Sequence, residues 1–337
     1  MKHARRVLQA ALLALPLLAA PASAPASNAA PENPVETFRR TFRFGNWAQQ
    51  VEALSLYKNI PRTNRAPYEA ALELLLPQLD NNDLARKFME VIEVERLHRY
   101  HGYFEAVVRR KDGKGDLASP EDLSVITEGL RHINLLSNAA QLPLVADFAT
   151  NAARNRGQAP LIIEGLRAVE THRPAAFRAL LPPFISGESF AEGVQAAALR
   201  ALIAYKNPAD LDAIVALVKR DDLKSLVKWT AVAGLAEYAP DKRAHETLMA
   251  LYTSPDFEIR ARALWALGHF KVAETRELLM RACKDNAPRI RVFAVKGLAK
   301  WTEPEINELL EFKRKNDPEK SVRDAAEAIL RERGLAK

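Results

Sequence analysis

Three residues recur together along this chain: a branched or long aliphatic residue, then a residue four positions on, then another aliphatic residue four further. Val194/Ala198/Leu202, Val227/Ala231/Leu235, Ile259/Ala263/Leu267, Ile290/Ala294/Leu298 and Val322/Ala326/Leu330 start 33, 32, 31 and 32 residues apart. Leu161/Gly165/Val169 starts 33 residues before the first of these, and Val125/Gly129/Ile133 starts 36 before that. Positions i, i+4 and i+8 share one face of a helix, so each copy predicts an amphipathic helix. The middle position is always Ala or Gly, small enough to let a partner helix approach closely. A second amphipathic stretch follows the later copies: ADLDAIVALVKR, RAHETLMALYT, ETRELLMRACK and EINELLEFKRK. The unit is therefore a pair of antiparallel helices. One such pair cannot bury both of its faces, but stacked neighbours can. Seven copies in one frame predict an all-α fold, an α-solenoid.

The joins between helices carry matching signals. Asn207-Pro208-Ala209-Asp210 places a side-chain acceptor, a proline with no N–H to lose, and an acid at the positive helix end. Ser254-Pro255, Thr302-Glu303-Pro304-Glu305 and Ser119-Pro120-Glu121-Asp122 repeat that logic. Glycine is scarce, at 13 residues, which favours helix throughout. No alternating, β-branched run stands out as a strand.

This pattern resembles the HEAT-repeat family, in its short bacterial, phycobilisome-lyase HEAT-like form. The resemblance lies in the frame Ile-Arg-x-x-Ala-x-x-x-Leu and covers roughly 120–335. It implies a ladder of acid–base pairs within and between repeats. Asp222 stands six before Lys228, Asp285 six before Arg291, and Asp317 six before Arg323. Ser254 replaces the acid before Arg260, with Asp256 nearby, and Gln195 replaces the base of an earlier copy. Lys228, Arg260, Arg291 and Arg323 occupy one equivalent position, so stacking lines them up about 10 Å apart. The ladder is the structural use of that row. Its functional use is a basic stripe that receives an acidic partner.

The two ends of the chain read differently from the middle. Lys2, Arg5 and Arg6 precede the apolar run VLQAALLALPLLAA (7–20) and a small-residue stretch, the pattern of a secretory signal peptide cut before Ser27. Removing it takes the formal charge from +7 to +4, because Lys2, Arg5 and Arg6 go and no acid does. So mild a charge does not call for nucleic acid. The expected organisation is a signal peptide over 1–26, a disordered linker over 27–36, a helical N-terminal extension or diverged repeats over 37–118, and the HEAT-like array over 119–337. The polar stretch KDGKGDLASPED (111–122), with its two glycines, is the expected linker ahead of the array.

Few constellations suggest chemistry. Cys283 is a lone thiol on a helical pattern, so the exported chain has no internal disulfide, and a small packed residue is its ordinary role. Glu95, His98 and His101 fall at i, i+3 and i+6, a spacing that drifts around a helix instead of closing on a metal. His245-Glu246 resembles the pairs of deoxyhypusine hydroxylases, HEAT proteins with two irons, yet the matching helices carry Arg276-Glu277 and Asn307-Glu308. Gly187-Glu188-Ser189-Phe190-Ala191 falls one residue short of a nucleophile elbow and lacks the strand such an elbow needs. Trp229, Trp265 and Trp301 recur every 36 residues but at different frame positions. They read as packing residues, with an exposed anchor as the alternative.

The function that follows is a non-catalytic, exported scaffold, periplasmic or extracellular. It binds another protein or peptide along the solenoid through Lys228, Arg260, Arg291 and Arg323, an acidic partner fitting that row. No cofactor, no metal, no nucleic acid and no transmembrane segment after cleavage are expected. One alternative is an envelope polyanion-binding protein using the same bases. Another is a metal-dependent enzyme with a site in 37–118, around His98 and His101.

Overall fold

Helix α1 (Pro34–Phe44) begins where a cap is available: Asn33 Oδ1 accepts the Val35 N–H at 3.1 Å, and Pro34 takes the first helical position. Residues 34–36, expected in a disordered linker, are therefore the first turn of a helix. The computed structural model describes residues 33–57, 59–94 and 102–336. The expected signal peptide, residues 27–32 and the Glu95–His101 cluster lie outside the described residues. Among the described residues every regular element is helical, and no helix is long and apolar enough to cross a membrane.

The chain forms two units. The first runs to Asp147 and includes Asn151–Arg156; the second comprises Phe148–Thr150 and everything from Gly157. The junction expected at 118/119 lies inside the first unit, where an ion pair ties its two sides together. Helices α2 (Trp47–Tyr57), α3 (Ala66–Leu72), α4 (Asn82–Val94), α5 (Gly102–Asp112) and α6 (Pro120–Leu136) follow α1 in the first unit. The polar stretch 111–122 joins α5 to α6, which pack side by side. Lys111 is fully buried there, with its Nζ 3.1 Å from Asp122 Oδ1, and Lys114 Nζ reaches Asp122 Oδ2 at 2.8 Å. Lys111 Nζ also donates to the Asp80 carbonyl. Ser119 and Asp122 close a reciprocal capping box at the start of α6. The stretch is an inner corner of the unit, not a linker. The earliest frame copy lies on α6, with Val125 and Ile133 buried. At Gly129 a Cβ would stand 2.7 Å from Val108 Cγ2, so only glycine fits against α5.

After α7 (Leu142–Thr150), the second unit carries the other six copies. They lie on α8 (Ala159–His172), α9 (Glu192–Ala204), α11 (Ser225–Gly234), α13 (Phe257–Leu267), α15 (Pro288–Gly297) and α17 (Lys320–Glu332). Each of these frame helices packs on the next, forming one layer. The return helices α10 (Leu211–Val218), α12 (Lys242–Leu251), α14 (Ala273–Ala282) and α16 (Pro304–Asn316) each pack against the frame helix that follows. Short joins make consecutive helices antiparallel. Ala198, Ala231, Ala263, Ala294 and Ala326 are all completely buried, as the frame requires. The aliphatic positions around them are at most 5 % exposed. Each contributes about 2 kcal/mol of burial, so a helix pair stands only against its neighbours.

Candidate functional site

The four frame bases share one local geometry. Arg260 Nη1 donates to the carbonyls of Ser254 and Pro255 at 2.7 and 2.9 Å. Arg291 Nη1 donates to Asp285 and Asn286 at 2.9 and 3.2 Å, and Arg323 Nη1 to Asp317 and Pro318 at 2.7 and 2.9 Å. Each arginine reaches back six and five residues and ties down the turn that precedes its own helix. Lys228 does the same more loosely, donating to the Arg220 carbonyl at 2.8 Å. The acids expected as partners act elsewhere. Asp222 pairs with Arg220 at 2.6 Å, and Asp285 Oδ1 accepts the Ala287 N–H at 2.7 Å. The one inter-repeat pair in the row joins Arg291 to Asp317, at 3.0 and 2.8 Å, with Lys313 adding a third bond at 3.1 Å. Arg291 is 8 % exposed, so this member of the row is committed to the interior. Lys228, Arg260 and Arg323 are partly exposed, with these donors turned to backbone.

A concavity of the second unit lies on the frame-helix layer instead. It is a groove of about 620 Å³ across the C-terminal ends of α8 and α9 and along α11, with Arg262 from α13. Leu226 and Trp229 form its apolar part; Leu226 is 40 % exposed. The Arg262 guanidinium sits over the Trp229 ring at 4.8 Å. Around them stand Arg173, Arg200, Lys206 and Arg262 against only two acids, Glu170 and Glu237. Arg200 lies 3.5 Å from Glu170, and Lys206 lies 2.8 Å from Glu237. The Lys206 hydrogen bond holds the Glu237 carboxyl below its usual range. No carboxylate among the described residues pairs with Arg173. Trp229 thus has one foot in packing and one in the groove, whereas Trp301 is buried beyond the end of its frame helix.

Two of these cations sit on unusual backbone. Arg173 and Lys206 have φ of 51° and 50°, the left-handed region. Arg173 caps α8, its N–H bonding the Val169 carbonyl, and Lys206 N–H bonds the Ile203 carbonyl just past α9. Both fall twelve residues after their frame starts. The same position is left-handed at Ser137 (φ 50°) and at Gly334 (φ 69°). Glycine takes this conformation freely; a residue with a Cβ loses about 1 kcal/mol there. Sequence reasoning passed over Arg173 and Lys206. Their signal was the constant offset of twelve within the frame, which reads as an ordinary helix end until the dihedral angles are known.

The remaining candidates are absorbed by packing. His245 Nε2 lies 2.9 Å from Thr275 Oγ1, and its ring lies 5.4 Å from that of Phe270. Cys283 is fully buried, and burial pushes its thiol up to about 12, the opposite of what a nucleophile needs. Ser189 lies in the turn before α9, where Gly187 closes the short helix Pro182–Ser186. Among the described residues no three His, Cys, Asp or Glu side chains converge as a metal cage would require.

Comparison with known proteins agrees with this architecture. Residues 244–331 match the family model described as HEAT repeats. No curated protein matches the sequence. Among solved structures the chain is similar to Kap121p bound to Pho4p, at 12 % identity and a TM-score of 0.50, over 88 % of this chain and 41 % of that one. It therefore spans less than half of Kap121p, and the likeness shows the solenoid fold. Human deoxyhypusine hydroxylase matches at 16 % identity and a TM-score of 0.33, over 85 % of this chain and 96 % of that one. The complex of CpcE and CpcF of phycocyanin lyase from Nostoc sp. PCC7120 matches at 15 % identity and a TM-score of 0.38, over 94 % and 100 %.

Proposed function

We propose that this chain is a non-catalytic scaffold that binds another protein through the groove on its frame-helix layer. One observation carries the reading: across three consecutive repeats, an exposed leucine and a partly buried tryptophan lie among more cations than acids. A buried aromatic flanked by arginine is the usual anchor of a protein interface. The fold supports it, since stacked helix pairs offer a long continuous surface, and Kap121p, of the same fold, is seen bound to another protein. The leader pattern over 1–26 supports an exported scaffold, in the periplasm or beyond.

The groove is preferred to the row Lys228, Arg260, Arg291 and Arg323 because those bases spend donors on turn carbonyls. The test is an in-cell cross-link and pull-down with three baits, each checked by its melting curve. The native chain is expected to capture one partner, and a Leu226→Ser/Trp229→Ala bait to lose it. A Lys228→Gln/Arg260→Gln/Arg323→Gln bait is expected to keep it. If the groove bait still captures the partner and the stripe bait does not, the site belongs to the row. Capture of nothing by the native bait defeats the scaffold reading. The polyanion alternative predicts binding that collapses steeply with salt, whereas an anchor-led protein contact survives moderate salt.

A further inference from the structure

We infer that Arg173 and Lys206 are binding residues, held in left-handed caps at some cost in stability, which give the groove an acidic polypeptide segment as its occupant. The inference rests on the protein-binding reading above.

The chain itself shows that these positions need no base. Twelve residues after the frame start, the same backbone conformation is filled by Ser137 in the first unit and by Gly334 in the last repeat. Glycine is the unstrained choice there, and the chain uses it at Gly334. In the two successive repeats whose caps line the groove the position is cationic. A cation after a helix C-terminus gains from the helix dipole, but that gain is available from any basic residue in the last turn, with no left-handed backbone. Local pairing does not explain the choice either. Arg173 has no carboxylate partner among the described residues. The Lys206–Glu237 pair is 59 % and 42 % exposed, and exposed pairs contribute little to stability.

The same residues say what fits. Arg173, Arg200, Lys206 and Arg262 outnumber Glu170 and Glu237, so the occupant is anionic. Leu226 and Trp229 lie among those cations, so it is also partly apolar, unlike a polyphosphate or a sulfated glycan. The lining crosses three helices spaced about 10 Å apart, and about six or seven extended residues cover that span. An extended segment of Asp or Glu alternating with a large apolar residue meets all three conditions. Arg173, whose donors are uncommitted, takes the first carboxylate bidentately.

The probe is a fluorescein-labelled dodecapeptide of Glu and Leu, titrated against the processed chain by anisotropy. Arg173→Gly/Lys206→Gly is expected to weaken binding at least tenfold while the melting temperature holds or rises. Lys242→Gln/Lys320→Gln removes the same charge from exposed positions away from the groove and is expected to leave binding within twofold. The inference is overturned if the native chain does not bind the peptide, or if both double variants weaken it equally. It is also overturned if the glycine variant melts several degrees lower, since the bases then serve the caps alone. Inorganic polyphosphate that displaces the peptide and binds Leu226→Ser/Trp229→Ala as tightly as the native chain would assign the groove to polyanions. The pull-down separates the two claims. A partner lost with Leu226→Ser/Trp229→Ala but kept with Arg173→Gly/Lys206→Gly leaves the scaffold standing and removes this inference; a partner kept with both removes the groove itself.

Discussion

Asp317 shows how one residue of the repeat frame became structural. Its carboxylate is almost completely buried and takes hydrogen bonds from Arg291, Lys313 and the Glu319 N–H. Burial alone would raise its pKa, but these donors prevail and hold it at about 2, against an ordinary 3.8. A pKa lowered on folding stabilises the native state fully above the unfolded value, and that contribution disappears as pH falls from 3.8 towards 2. It amounts to about 2 kcal/mol. Urea unfolding of the native chain and of Asp317→Asn is therefore expected to differ most above pH 5, with the gap narrowing by about 2 kcal/mol by pH 2. A gap that stays constant with pH would remove the ion pair from the account. The resemblance to HEAT repeats pointed to such pairs, yet it matched Asp285 with Arg291 and Asp317 with Arg323. A one-dimensional spacing of six cannot tell a side-chain acceptor from the backbone carbonyl beside it, and the structure uses the carbonyl each time.

At the scale of the element, the join between α5 and α6 is the instructive case. Lysines, aspartates and glycines between 111 and 122 read as a solvated linker, because polar composition is the usual mark of one. Lys111 is nevertheless completely buried against Asp122. Burial pushes the lysine pKa down and would push the aspartate up, but bonds from Lys114, the Ser119 N–H and Lys111 hold Asp122 well below the usual carboxylate range. Breaking a buried pair leaves a charge without compensation. Lys111→Met is expected to lose about 3 kcal/mol in denaturant unfolding, while Lys114→Gln, which alters a side chain that is itself a third exposed, loses under about 1 kcal/mol. Equal losses in the two variants would show that Lys111 is not the member that holds the corner. The helices either side were legible from their caps, since Ser119-Pro120-Glu121-Asp122 is a local signal. The burial between them was not, because it depends on what packs from outside the segment.

For the whole molecule, two expectations meet at the N-terminus. The leader pattern predicts that the protein recovered from the cell envelope starts at Ser27, and α1 opens seven residues later at Pro34. N-terminal sequencing and intact mass of that fraction are the measurement. A chain recovered from the cytoplasm with Met1 still in place would move the scaffold to another compartment and change which partners it can meet. Within the second unit, stacking from α8 to α17 makes the frame-helix layer continuous. A groove on it draws residues from several repeats at once, as Arg173, Lys206, Trp229 and Arg262 show.

The amino-acid sequence alone determined that this chain is a stack of helix pairs, where most of those helices start, and which small residues lie at their crossings. These are consequences of periodicity and capping, which act over four to eight residues and are written locally. Only the tertiary structure decided where the first unit ends, which bases are spent on turns and which face a groove, and that the backbone at Arg173 and Lys206 is left-handed. Those outcomes depend on backbone angles and on neighbours about thirty residues away, which no local pattern encodes. Lys206 and Lys228 look alike as letters; their backbone and their surroundings separate a groove cation from a turn staple.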